Sequence, residues 1–294
     1  MNSGIKTSRL ADFALLYAAT MWGLFWYPLR LFEQVGLPAI WVSLISFSSA
    51  MCIGLVLCRS RFAEYRLQPL TLLLIAISAG WCNIAVLVAL AEGNAIRVIL
   101  LFYLSPVWAV IMGHLILKEK LQRIEMLIFL LAFLGAIIML WNPDVGIPWP
   151  ASRADWLALS SGFMFALSNV LIRSLQNISI PVKSTTTWIG GVVIALLWIV
   201  LSDHHFPVVG TTVWSYAVIL GVFGIVLMSL SVQYGVTHMP VYRSAIILLF
   251  EIPVTAVSVY FLAGDKLTMM EWVGGIIVIS SGWLIARTGR VDGK

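Results

Sequence analysis

Glu251 occupies the most demanding position of any acid in the chain. It lies near the middle of an apolar run, about 240–263, where a charge costs ~2.5–3.5 kcal/mol on insertion scales. On a helix, Ser244, Glu251, Thr255 and Ser258 share one face, so the carboxyl belongs to a polar stripe and not to a lipid-facing surface. Two chemistries stay open. The carboxylate binds an ammonium group or carries a proton, or it is a neutral, hydrogen-bonded acid that ties its helix to a neighbour. Glu251 lies two residues before Pro253, and the position two residues before Pro106 is Leu104.

Other candidate site residues are aromatic or neutral polar. Trp22, Trp26, Trp81, Tyr103 and Phe165 lie deep in apolar runs, with Trp22 and Trp26 at i, i+4 on one face. Such rings suit an apolar or aromatic solute, and their faces attract an ammonium; packing against lipid or a neighbouring helix is the alternative. Asn83, Asn169, Gln233 and Ser244 supply polar groups for a cavity or for gluing helices together. Pro106 and Pro253 each remove a backbone hydrogen bond in mid-run, which makes a gating hinge or a fixed kink. Glu92 and Arg97 flank a short connection and are expected to pair. Catalytic and metal sites are not expected. There is no Gly-x-Ser-x-Gly, His-Glu-x-x-His or Walker A motif, and His204-His205 lacks further ligands at metal spacing. No cofactor is expected either. Cys52, Cys58 and Cys82 read as small core residues.

These residues need elements that hold them in a bilayer. Of 294 residues, 61% are hydrophobic and 11% charged, with mean hydropathy +1.00. Soluble domains carry about 25% charged residues, so the composition excludes an ordinary soluble enzyme and a disordered chain. The net charge of +5 comes without any block of like charge, which argues against a nucleic-acid partner. Lipid bilayer is the expected environment. Ten stretches are long enough to cross about 30 Å of hydrocarbon as helices: about 10–31, 38–58, 69–91, 95–117, 123–141, 154–175, 182–201, 212–234, 240–263 and 270–286. The first is longer than the apolar core of a signal peptide and is expected to stay as a helix. With this threading, Arg30, Arg97, Arg153 and Lys266 fall on one side, and every other Lys and Arg falls on the opposite side. The bias predicts cytoplasmic N- and C-termini in a multi-pass inner-membrane protein.

The two halves resemble each other. Asp12 precedes Arg30, and Asp155 precedes Arg173, at the same spacing. Pro106 is followed by Glu119-Lys120-Leu121 and Glu125; Pro253 is followed by Asp265-Lys266-Leu267 and Glu271. The reading is two five-helix repeats, 1–141 and 152–294, joined by a Pro-rich periplasmic linker at 142–151. An odd number of spans per repeat inverts the second half relative to the first, a plan common among secondary transporters. The predicted fold class is an all-α integral membrane protein of ten transmembrane helices.

On these residues the chain resembles the drug/metabolite transporter superfamily, in its ten-span form with two EamA-type halves. The resemblance rests on Pro106 and Pro253, the Glu119-Lys120-Leu121 and Asp265-Lys266-Leu267 loops, and the closing spans with Gly135, Gly274, Gly275 and Gly282. The Phe250-Glu251-Ile252-Pro253 run looks most like the amino-acid exporter branch, including aromatic amino acid exporters. The resemblance implies a central cavity among spans 1–4 and 6–9, with spans 5 and 10 peripheral. It implies a secondary transporter of amino acids or related small metabolites, with a proton as a candidate coupled partner. A channel-like facilitator is the second reading and an integral-membrane enzyme the third.

Overall fold

The structure, a computed structural model, describes residues 2–142, 149–202, 205–264 and 266–288, with side chains described from residue 9 onward. Most of the expected linker, His204, Asp265, Arg290 and Lys294 lie outside the described residues. Among the described residues the regular elements are all helical. Nine helical segments among the described residues are long and apolar enough to cross a bilayer, from Ala39–Leu57 through Met269–Thr288. Ahead of them lie α1 (Asn2–Leu24) and α2 (Trp26–Gln34), which together cover the first expected span.

Unbroken helices form five of the segments: α3 (Ala39–Leu57), α4 (Pro69–Glu92), α7 (Arg123–Leu140), α8 (Arg153–Ser174) and α9 (Ile180–Leu201). The last, α14 (Met269–Thr288), is also unbroken. The remaining segments are interrupted, where the sequence reading has single helices. The fourth expected span divides into α5 (Ala95–Phe102) and α6 (Ser105–Leu117). The ninth divides into α12 (Val241–Leu248) and α13 (Glu251–Ala263). The eighth runs as α10 (Thr211–Ile219), a π-helical turn (Leu220–Ile225) and α11 (Val226–His238).

Proline explains three of the interruptions. A proline has no N–H for the carbonyl four residues earlier, and Pro28, Pro106 and Pro253 would serve Leu24, Phe102 and Leu249. At the last of these the chain tightens, and the Leu249 carbonyl accepts from the Ile252 N–H at 3.1 Å instead. The π turn has a different support. Gly221 of the turn lies against the Ser46 backbone of α3, and just ahead of the turn the Ser46 hydroxyl donates to the Ala217 carbonyl at 3.0 Å.

Packing crosses between the two halves of the chain. α4, α5 and α6 all lie along α8, while α11, α12 and α13 all lie along α1. Two bundles result, each made from both halves. α7 and α14 pack on one another through glycines, with an ideal Cβ at Gly274 only 2.5 Å from the Gly135 carbonyl oxygen. Small residues allow this approach where lipid gives no hydrophobic drive for association. Large apolar side chains such as Val200, Phe261 and Leu115 point outward and are exposed, as a lipid-facing surface requires.

Candidate functional site

The breaks at Tyr103-Leu104 and Leu249-Phe250 bring the middles of the fourth and ninth expected spans together. Glu251 begins α13 directly after its break, and the Tyr103 phenol faces its carboxyl. Both side chains are half-buried. The Tyr103 ring meets Phe102 edge-on at 5.4 Å, and Phe102 in turn meets Phe165 of α8 at 5.8 Å. Gly162 of α8 makes this proximity possible, since a Cβ there would stand 2.5 Å from the Phe102 carbonyl oxygen. That carbonyl is the one Pro106 cannot serve.

Glu251 differs from the other acids in its partners. Asp12 pairs with Arg243, Asp155 with Arg97, Glu119 with Arg173, Glu92 with Arg153 and Glu64 with Arg61. Glu125 and Glu271 close capping boxes at the starts of α7 and α14. Glu33 is exposed at the end of α2. Among the described residues no Lys, Arg or His pairs with Glu251; its polar side-chain neighbour is Tyr103. A carboxylate taken out of water needs a cation or a proton.

Span 1 closes the same region from the other side. Trp26 Nε1 donates to the Ser258 hydroxyl at 2.8 Å, and the Thr255 hydroxyl donates to the Gly23 carbonyl at 3.2 Å. The polar stripe of α13 therefore lies on α1, not on lipid. Trp22 stacks edge-on with Phe25 at 5.2 Å, beside the α1 break. The structure thus brings Tyr103, Phe165 and Glu251 to one place and seats Trp26 of α2 against α13, the helix that Glu251 begins.

Other expected site residues hold helices together. Trp81 donates to Ser160 at 3.1 Å and packs on Trp198. Asn83 donates to the Ala79 carbonyl at 2.7 Å in its own helix. Gln233 donates to the Thr187 hydroxyl at 3.0 Å, and Ser244 to the Val241 carbonyl at 2.8 Å. Asn169 is buried on α8. The expected Glu92–Arg97 pair does not form. Asn94 caps α5 with its side chain, and Arg97 turns to Asp155 at 2.8 Å because backbone N–H groups of Ala151 and Ser152 already fix that carboxylate. Glu92 goes to Arg153 at 3.7 Å.

A second polar cluster was not expected from the sequence. It surrounds the turn between α11 and α12. Glu119, just past α6, accepts from the Val241 N–H at 2.9 Å and lies 3.6 Å from Arg173 Nε. Burial raises the Glu119 carboxyl above its ordinary range, against the pull of that N–H and of Arg173. Arg173 also donates to the Thr237 carbonyl at 2.6 Å. Lys183 is fully buried, and its ammonium donates to the Ile172 carbonyl and the Thr237 hydroxyl, each at 3.1 Å. Arg173 and Lys183 read as loop charges in the sequence. Their place beside the expected ends of apolar runs was the available signal.

These observations define a multi-span helical membrane protein whose two mixed bundles meet at proline-broken helices and at the Glu251 carboxyl, which has no cation partner among the described residues. The chain belongs to the EamA-like transporter family, whose model matches residues 9–141 and again residues 152–287. It is similar to an uncharacterized transporter of Pseudomonas aeruginosa, 24% identical over 193 residues, covering 63% of this chain and 61% of that one. It is also similar to an uncharacterized transporter of Methanothermobacter thermautotrophicus, 24% identical over 143 residues, covering 47% of this chain and 41% of that one. The matched part therefore spans less than two thirds of either relative. A solved crystal structure covers 95% of this chain and 98% of its own, with a TM-score of 0.74 at 14% identity, which shows the fold alone.

Proposed function

We propose that this membrane transporter exports amino acids, aromatic and other neutral ones, or related small metabolites by alternating access. In this reading it has ten spans, counting α1 with α2 as the first, in two inverted five-helix repeats, 1–141 and 152–294, joined at 142–151. Both termini face the cytoplasm of a bacterial cell, as the Lys and Arg bias argues. Glu251 takes the substrate ammonium, and Tyr103, Phe165, Trp22 and Trp26 form the aromatic surroundings. Trp81, Asn83, Asn169, Gln233 and Ser244 shape the region through the helices they join. Pro106 and Pro253 set the hinges.

The observation that carries this reading is Glu251 itself, the half-buried acid at a helix break that faces a phenol and lacks a cation among the described residues. A passing ammonium supplies the missing charge; a proton is the alternative occupant. The packing of α4–α6 on α8 and of α11–α13 on α1 supports the inverted repeat, because each relation is the other with the halves exchanged.

The test is flux into proteoliposomes for a panel of labelled amino acids, with and without a pH gradient. Saturable uptake of aromatic and neutral amino acids supports the proposal. Unsaturable flux points to a channel-like facilitator, and a response to the pH gradient identifies a coupled proton.

A further inference from the structure

The packing between the fourth and ninth expected spans is lopsided. At the end carrying Arg173, α6 packs against α12 through a plug of Ala109, Met112, Ala166, Val170, Val241 and Ala245. The exchange-related pair at the opposite end, α5 and α13, makes no such extended packing among the described residues. The polar contacts show the same asymmetry. The α11–α12 turn, in one bundle, is gripped by Glu119 and Arg173 from the other bundle. Arg30 stands in the first half where Arg173 stands in the second, at the same spacing from Asp12 as Arg173 from Asp155. Arg30 is exposed and has no hydrogen bond or ion pair among the described residues. The turn related to the α11–α12 turn is Gly93-Asn94, between α4 and α5.

We propose that Arg173 and Arg30 are reciprocal latches. Arg173 holds the α11–α12 turn in the conformation described, with the Arg173 end shut. Arg30 takes hold of the α4–α5 turn when the opposite end shuts and Arg173 lets go. This rests on the inverted-repeat reading above and on no particular substrate. The chemistry is the same at both ends. A guanidinium presents several fixed N–H donors to the carbonyls at a helix C-terminus, where partial negative charge collects. Both α4 and α11 end at the turns concerned, and Arg173 already reaches the Thr237 carbonyl at the end of α11. Asp12–Arg243 and Asp155–Arg97 join helices within a bundle, so they remain intact while the bundles rock.

The test uses the full chain with Cys52, Cys58 and Cys82 replaced and one cysteine placed in the plug by Ala109→Cys. A membrane-impermeant maleimide is applied from the Arg173 side, and the labelling rate is measured alone and with Arg30→Gln, Arg30→Lys or Arg173→Gln. Arg173→Gln should speed labelling, and Arg30→Gln should slow it, each at least about fivefold, the change that about 1 kcal/mol makes in a two-state ratio. Arg30→Lys should keep most of the parent rate. Arg30 is exposed, so its variants are expected to fold, and a melting curve checks each one. A well-folded Arg30→Gln protein that labels at the parent rate overturns the proposal. So does an Arg173→Gln protein that labels no faster. Labelling needs no substrate, so failure of the amino-acid reading leaves this result interpretable.

Discussion

Gly23 of α1 lies against the backbone of Glu251, so close that a Cβ on Gly23 would stand 2.8 Å from the Glu251 carbonyl oxygen and 2.9 Å from Val254 Cγ1. The first turn of α13 is thereby seated on α1, and the position of the Glu251 carboxyl depends on a missing side chain. Gly23→Val should lower stability in detergent by about 1–3 kcal/mol, the usual cost of overpacking. Gly282→Ala, where nothing lies within 4 Å, should melt at the parent temperature or slightly above it. Equal melting temperatures for Gly23→Val and the parent would show that this contact is not tight.

Asp12 and Arg243 pair at 2.8 Å with both side chains largely buried. Breaking such a pair from one side leaves an uncompensated charge and costs about 3–5 kcal/mol. Arg243→Met should therefore destabilise strongly, and Asp12→Leu with Arg243→Met together should be less harmful than Arg243→Met alone. A double-mutant cycle measured by denaturation checks this. Additive losses would mean that the two residues do not act as a pair.

Glu64 accepts from the Ser179 N–H at 2.7 Å in the connection between α3 and α4. Burial on its own raises the Glu64 carboxyl, but Ser179 and Arg61 outweigh it and hold the group below its ordinary value. An acid lowered by folding stabilises the fold above its unfolded value, about 4.3. That contribution fades as pH falls through the lower folded value. The stability gap between parent and Glu64→Gln should be constant from neutral pH down to about 5 and should close in more acidic solution. A gap that widens on acidification would contradict the assignment.

Much of this architecture was legible in the sequence. The acid-Lys-Leu-x-x-x-Glu spacing turns out to encode a helix end followed by a helix start. Lys118 and Gly264 take left-handed φ values of 57° and 80°, and Glu125 and Glu271 then cap α7 and α14. The mid-run prolines marked two breaks correctly as places of altered backbone, yet Pro28 carried the same signal in the first span. The π turn had no such mark, because what it packs on is a separate helix, α3, at Ser46. Arg243 and Asp12 are far apart in the chain, and no local pattern links them. Glu251 was legible because a lone acid in an apolar run has few explanations; Tyr103 as its neighbour required two helix breaks to be placed in space.

Glu251→Gln in proteoliposomes, with Tyr103→Phe beside it, tests the role of the Glu251 carboxyl most directly. The readout is initial flux of a labelled aromatic amino acid per folded molecule, across a range of concentrations. Glu251→Gln should raise the half-saturation concentration at least about tenfold, equivalent to about 1.4 kcal/mol, while the protein melts within a few degrees of the parent. Tyr103→Phe should shift the same parameter in the same direction by a smaller factor. Unchanged half-saturation and normal flux in a folded Glu251→Gln protein would contradict a substrate role and leave Glu251 as a structural acid.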